Sequence, residues 1–323
     1  MHTIPVSILN SSANNQGKEK GNMLTKLLPE YIKQPIRTYI QEYIDSHIRT
    51  YIQEYIDSHM QKYHFFSSHP GEREYCIVAK GPTLEQSEGR ALPIPPAELW
   101  VGYAEDAESY IAGGKQHVTD MIKAIENGGF SITEARRVME FGCAAGRMIR
   151  HLPELAPHAE LWGVDISAQH IRWCIDNLTP TINFVTTTTL PHLPFEDRLF
   201  DLVFCGSVFT HIEDIAETWL QELGRVLRPS GRLYITIHDE HTVRLLDSKH
   251  SNHWLAKQML KNPVYSNNRD EFNLIVLGRG TASQVFYHSN YFRRILPPCF
   301  RWVSYTPEAY EYQSAVVLEK LAT

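Results

Sequence analysis

Val138-Met-Glu-Phe-Gly-Cys-Ala-Ala-Gly-Arg-Met-Ile-Arg-His-Leu152 is the stretch that decides how this chain is read. An apolar run from Val138 to Phe141 predicts a strand, and a helical pattern opens at Arg147. Between them lie Gly142, Ala144 and Gly146, small residues that let backbone approach a ligand closely. The first N–H groups of the following helix lack partners within the helix and suit a carboxylate. Glu140, near the strand end, is a candidate partner for a ligand ammonium, directly or through water.

Outward from this turn, strand and helix patterns alternate, which signals a parallel sheet with crossover helices. Strands are predicted at Val138–Phe141, Glu160–Val164, Ile182–Val185, Leu199–Cys205 and Leu233–Ile237. Helices are predicted near Gln116–Asn127, Arg147–Leu155, Ala168–Leu178 and Ile212–Leu227, with a turn at Pro229-Ser-Gly231. His238 to His288 reads as irregular. A helix near Asn290–Leu296 then precedes Phe300–Tyr305 and Ser314–Glu319, which suit an antiparallel hairpin at the sheet edge. The predicted fold is a Rossmann-like, doubly wound α/β sheet of about seven strands with the last antiparallel, plus an N-terminal helical extension.

A second acid, Asp165, ends Leu161-Trp-Gly-Val-Asp165 and lies 23 residues after Gly142. A carboxylate there suits the two ribose hydroxyls of a nucleoside. The dinucleotide pattern G-x-G-x-x-G fails, because Ala144 and Arg147 occupy its second and third glycine positions.

These residues resemble the first motif of class I S-adenosylmethionine-dependent methyltransferases, acid-x-Gly-x-Gly-x-Gly, with Ala144 at the middle glycine. Three further stretches resemble the same family in order: Leu193 to Val203, Ser207-Val-Phe-Thr-His-Ile212, and Leu223 to Thr236 with Ser230 at a usual glycine. The tail Tyr310-Glu-Tyr-Gln-Ser-Ala-Val-Val-Leu318 is similar to members met in glycan and secondary-metabolite pathways. The resemblance implies S-adenosylmethionine as cofactor. It places Glu140, Gly142, Ala144 and Gly146 at the methionine end, Asp165 and Ile166 at ribose and adenine, and Gly206 and Ser207 under the sulfonium. Many members carry an acid after the third strand for the adenine amine. Here that stretch is Thr186-Thr-Thr-Thr-Leu190, so Thr187 or Thr188 takes its place.

The implied reaction is methyl transfer to a small-molecule acceptor, a hydroxyl of a sugar or natural product. Such a step needs an in-line acceptor and, for a hydroxyl, a base. His211 and His238 are the candidate catalytic bases, since both follow strand ends where open α/β sheets build their sites. A helix-starting role for His211 is the plainer alternative. His238-Asp-Glu-His241 groups possible metal ligands, but no spaced third ligand accompanies them, and no metal is predicted. Asp201 is expected to orient its strand, and Trp100, Tyr103 and Tyr110 to pack or shape the acceptor pocket. Transfer to nitrogen or carbon, a non-catalytic cofactor-binding scaffold, and a nicotinamide oxidoreductase are the alternatives.

The 323 residues carry a net charge of −6 with no long basic run, which argues against nucleic acid as a partner. The five cysteines are scattered without a Cys-x-x-Cys pair, and neither a leader nor a long apolar span is visible. A cytoplasmic protein with no membrane partner is the expectation. Domain limits are set at residues 1–21 (mobile tail), 22–63 (helical extension), 64–115 (connecting or lid region) and 116–323 (cofactor-binding domain). A short strand is predicted at Tyr75–Ala79. Within the extension, Arg37 to Ile48 recurs as Arg49 to Met60 with only the last residue changed. Its isoleucines recur every fourth residue, so their stripe drifts about 40° per step around a helix. This suits either a lengthened linker or an arm that forms a homodimer.

Overall fold

The structure, a computed structural model, describes residues 92–322 apart from 180, 213, 214 and 279. The repeated segment and the predicted strand at Tyr75–Ala79 lie outside the described residues.

Seven strands form one sheet in the order β3-β2-β1-β4-β5-β9-β8. These are β1 (Arg137–Phe141), β2 (Glu160–Asp165), β3 (Asn183–Thr186), β4 (Phe200–Cys205), β5 (Leu227–Ile237), β8 (Phe300–Tyr310) and β9 (Gln313–Lys320). β1 to β5 run parallel, while β9 lies antiparallel between β5 and β8. The fold class is therefore the one the sequence predicts. The hairpin also forms, with β8 rather than β9 at the edge.

The central strands are buried on both faces, so their apolar residues run continuously instead of alternating with polar ones. Alternate residues still part to opposite faces. Val138, Leu161, Leu202, Phe204 and Tyr234 join α1 (Ala107–Asn127) and α3 (Ala168–Leu178) in one core cluster. Met139, Val164, Val203, Leu233 and Ile235 join α4 (Ala216–Val226) in the other. Asp201 orients β1 as expected, its Oδ2 accepting from Arg136 N at 2.6 Å and Arg137 N at 2.7 Å.

Four elements depart from the sequence reading. Helix α1 starts at Ala107, well before Gln116, because Asp106 and Ser109 form a capping box. The helix expected at Arg147–Leu155 is a turn, a 3₁₀ segment Ile149–His151 and a four-residue helix α2 (Leu152–Leu155). Pro153 lies at the start of α2, and the chain before a proline disfavours continued α-helix. The turn at Pro229-Ser-Gly231 lies inside β5, where the pairing with β4 shifts between Phe200 and Leu202.

The largest departure is the stretch read as irregular. It folds into α5 (Glu240–Asp247), α6 (Trp254–Leu260), α7 (Pro263–Asn268) and a two-stranded sheet of β6 (Leu274–Leu277) and β7 (Gln284–Tyr287). These pieces share their own core of Val243, Leu246, Leu255, Met259, Tyr265, Ile275 and Phe286. The helix α8 (Ser289–Arg294) follows, leading back to the sheet.

Candidate active site at the carboxyl edge of the sheet

The glycine turn leaves β1 on three left-handed residues, Gly142 (φ 81°), Ala144 (φ 44°) and Gly146 (φ 73°). At Gly142 a Cβ would lie 2.3 Å from Val208 Cγ2, so the turn needs glycine for both its conformation and its closeness to the β4 exit. Gly142 N and Cys143 N both donate to Val164 O, at 2.7 and 3.0 Å, which ties the turn to the end of β2.

Asp165 completes that tie. Its Oδ2 accepts from Ala144 N at 2.7 Å and its Oδ1 from Ser167 N at 2.8 Å. Ala144 is the one turn residue that carries a side chain at positive φ, and this bond pins it there. Burial raises the Asp165 pKa, and the two N–H donors oppose that shift. A carboxylate has about four acceptor positions, so two remain for a pair of hydroxyls. Ile166 follows at half burial. After β3, Thr187 is buried and its N donates to Asp165 O at 2.9 Å. Thr188 is half-buried, with its hydroxyl accepting from Leu190 N at 3.2 Å.

Glu140 is the last residue but one of β1, and its side chain reaches the segment that follows the turn. Its side chain is buried, and Oε2 accepts from Ile149 N at 2.9 Å. Burial pushes its pKa up to about 8, against the pull of that N–H and of Arg147.

The exit of β4 is held by a closed polar ring. Ser207 (φ 58°) donates its N–H to Thr236 Oγ1 at 2.7 Å. Thr236 in turn donates to Gln313 Oε1 at 2.7 Å, and Gln313 Nε2 donates to Ser207 Oγ at 2.8 Å. Thr210 Oγ1 lies 3.0 Å from Ser207 Oγ. Beside this ring a Cβ on Gly206 would sit 2.7 Å from Tyr310 Cε2. Gln313 and Tyr310 come from the β8–β9 hairpin. The only sequence signal for them was their place in the tail quoted above.

Beyond β4 and β5 stand the two histidines. His211 is in a 3₁₀ turn, Phe209–His211, and its Nδ1 lies 2.7 Å from Ser283 O. A carbonyl accepts only, so Nδ1 carries the proton and Nε2 presents its lone pair. Burial lowers the His211 pKa. His238 is buried between the rings of Phe286 (4.9 Å) and Tyr312 (5.6 Å), and neither of its ring nitrogens has a partner among the described residues. Burial first, and then the charge of His211, push its pKa down to about 3, so it is neutral.

The neighbouring acids are occupied. Asp239 caps α5 by accepting from His241 N and Thr242 N, and its Oδ2 accepts from Tyr305 at 2.6 Å. Glu240 accepts from Ser289 N and Oγ at 2.9 and 2.6 Å. Trp100 stacks on Tyr110 at 5.5 Å, while Tyr103 lies against Arg147.

The structure thus joins the turn, Asp165, Gly206, Ser207, His211 and His238 along one edge. Residues 139–235 match the model of the methyltransferase domain family. The chain carries a methyltransferase domain. Over 118 residues it is 33% identical to a trans-aconitate 2-methyltransferase of Azoarcus sp. (strain BH72), covering 36% of this chain and 45% of that protein. Over 123 residues it is 25% identical to a malonyl-[acyl-carrier protein] O-methyltransferase of Hahella chejuensis, covering 38% and 42%. The chain therefore spans less than half the length of these curated relatives. Among solved structures, an S-adenosylmethionine-dependent methyltransferase from Clostridium acetobutylicum ATCC 824 aligns with 64% of this chain and 92% of its own, at 12% identity and a TM-score of 0.46. Among the described residues, no helix of the methyltransferase domain or its insert is long and apolar enough to cross a membrane.

Proposed function

We propose that this protein transfers a methyl group from S-adenosylmethionine to a hydroxyl of a small-molecule acceptor such as a sugar or natural product. The observation that carries the reading is the Asp165 carboxylate, which pins Ala144 of the glycine turn and keeps acceptor capacity for a nucleoside's hydroxyls. The residues present fit the cofactor. Gly142 to Gly146 offer bare backbone to its methionine end, and Gly206 and Ser207 stand opposite at the β4 exit. Asp165 suits the ribose, and Ile166 and Thr188 flank the adenine side.

The cofactor supplies an activated methyl group, so the protein's tasks are to position the acceptor and take up its proton. His211 serves as the base. Its tautomer is fixed by Ser283 O, and its lowered pKa keeps it neutral at physiological pH. His238, neutral and with no hydrogen-bond partner among the described residues, keeps one donor and one acceptor uncommitted beside it. The names of the two relatives support methyl transfer, one of them to oxygen.

The test is release of S-adenosylhomocysteine against a panel of sugar and natural-product hydroxyls. Acceptor-dependent release that His211→Gln slows about a hundredfold or more, with binding of S-adenosylhomocysteine retained, is the expected result. Release from amine acceptors alone would overturn the hydroxyl assignment.

A further inference from the structure

The insert between β5 and β8 buries one side of its helices. In α6, Leu255, Ala256 and Met259 enter its core, as does Tyr265 of α7. The outer side of α6 carries Trp254, Lys257 and Gln258, with Lys261 just past its end. That i, i+3, i+4 and i+7 spacing keeps all four on one face, and all four are exposed. Leu260 and Val264, the second residue of α7, are exposed beside them in sequence.

Two features set this surface apart. The first is apolar. Trp254 is 60% exposed, Leu260 41% and Val264 52%. They are three of the eight large hydrophobic residues exposed among the described residues, yet they fall within eleven positions of sequence. Scattered exposed hydrophobics need no partner, whereas a grouped set marks a contact surface. The second feature is charge. From Ser248 to Asn268 the chain holds Lys249, Lys257 and Lys261 and no Asp or Glu, in a protein of net charge −6. Lys249 pairs with Glu308 at 2.7 Å, while Lys257 and Lys261 have no ion pair among the described residues.

A partner for this surface must offer negative charge with an apolar layer beside it. An anionic bilayer offers both: headgroup phosphates for the lysines, and the acyl boundary for Trp254, Leu260 and Val264. Tryptophan favours that boundary, because its ring is apolar and its N–H is polar. An acidic protein matches less well, since protein interfaces favour arginine and are depleted in lysine. The expectation of no membrane partner rests on the lack of a long apolar span, which bears on crossing a bilayer and not on lying against one.

We infer that the outer face of α6 and the start of α7 dock this protein on an anionic lipid surface, with Trp254, Leu260 and Val264 entering the headgroup layer and Lys257 and Lys261 meeting lipid phosphates. The inference stands apart from the methyl-donor reading. Its test is co-sedimentation of the full chain with phosphatidylcholine vesicles, with and without about one-third phosphatidylserine. The protein should bind the anionic vesicles, and lose most of that binding as salt rises from about 0.1 to about 0.5 M. A lysine near an anionic surface contributes about fivefold, so Lys257→Gln combined with Lys261→Gln should weaken binding about twenty- to thirtyfold. Trp254→Ala should weaken it about tenfold, and Trp254→Phe less. These three side chains are exposed, so the variants should unfold in urea as the wild type does. Wild-type protein that stays in the supernatant, or binding that these substitutions leave unchanged, would overturn the surface. Capture by soluble polyglutamate in preference to anionic vesicles would overturn the lipid assignment in favour of an acidic protein.

Discussion

Glu140→Gln should remove the part of the fall in stability with rising pH that comes from Glu140. The Glu140 side chain is buried, and burial moves its pKa from 4.5 to about 8. Between those values the native protein holds a proton on Glu140 that the unfolded chain has released. The native state then binds more protons, so stability decreases as pH rises, by about 1.4 kcal/mol per pH unit. This contribution is fully present below pH 4.5 and is lost once pH passes 8. Over the whole window the loss is on the order of 4–5 kcal/mol. Glutamine is isosteric, and its carbonyl can still accept from Ile149 N, but it does not titrate. His117 and His238 act in the opposite sense: their pKa values of about 3 mean that stability falls as pH drops below 6.5. Both proteins share those histidines, so the difference between the two isolates Glu140. The assay is urea unfolding of each at pH 5, 6.5, 8 and 9. The variant should match the wild type near pH 5 and exceed it increasingly up to pH 8. A difference that stays constant across this range, or one that shrinks, would refute the burial argument.

Asp165→Asn places an amide NH2 against one of two N–H donors, Ala144 N or Ser167 N. It should cost about 1–3 kcal/mol in unfolding experiments and weaken S-adenosylhomocysteine about ten- to a hundredfold in calorimetry. His211→Gln should leave that affinity within about threefold and slow turnover about a hundredfold or more. Because burial lowers the His211 pKa from 6.5, the acid limb of wild-type kcat should lie below pH 6.5; a limb above it would exclude His211 as the base. Gly142→Ala forces φ 81° on alanine and sets a Cβ 2.3 Å from Val208 Cγ2, so thermal or urea unfolding should show a loss of about 2–4 kcal/mol.

The parallel core was legible because each buried central strand is a short apolar run between turn residues, as Val138–Phe141 and Phe200–Cys205 show. The place of Asp165 beside the glycine turn was legible because an acid ending the second strand of a βαβ unit lies next to the turn after the first. The insert was not, because its helices of six to eight residues and four-residue strands are too short to display a period. The helix after the turn was overestimated because its apolar pattern is helical while Pro153 interrupts the backbone. Gln313 escaped notice for a different reason: its bond to Ser207 joins residues 106 apart, and a lone glutamine near a chain's end signals nothing locally. Arg147 enters the sequence reading only as a mismatch to a dinucleotide pattern, and its contacts with His117 and Tyr310 form only once α1 and the β8–β9 hairpin close around it.

The most direct test of the methyl-donor reading is calorimetry of the wild-type protein with S-adenosylmethionine, S-adenosylhomocysteine and NAD. Saturable one-to-one binding of the first two, with no heat from NAD, is the predicted result. Binding of NAD in their place would contradict the account.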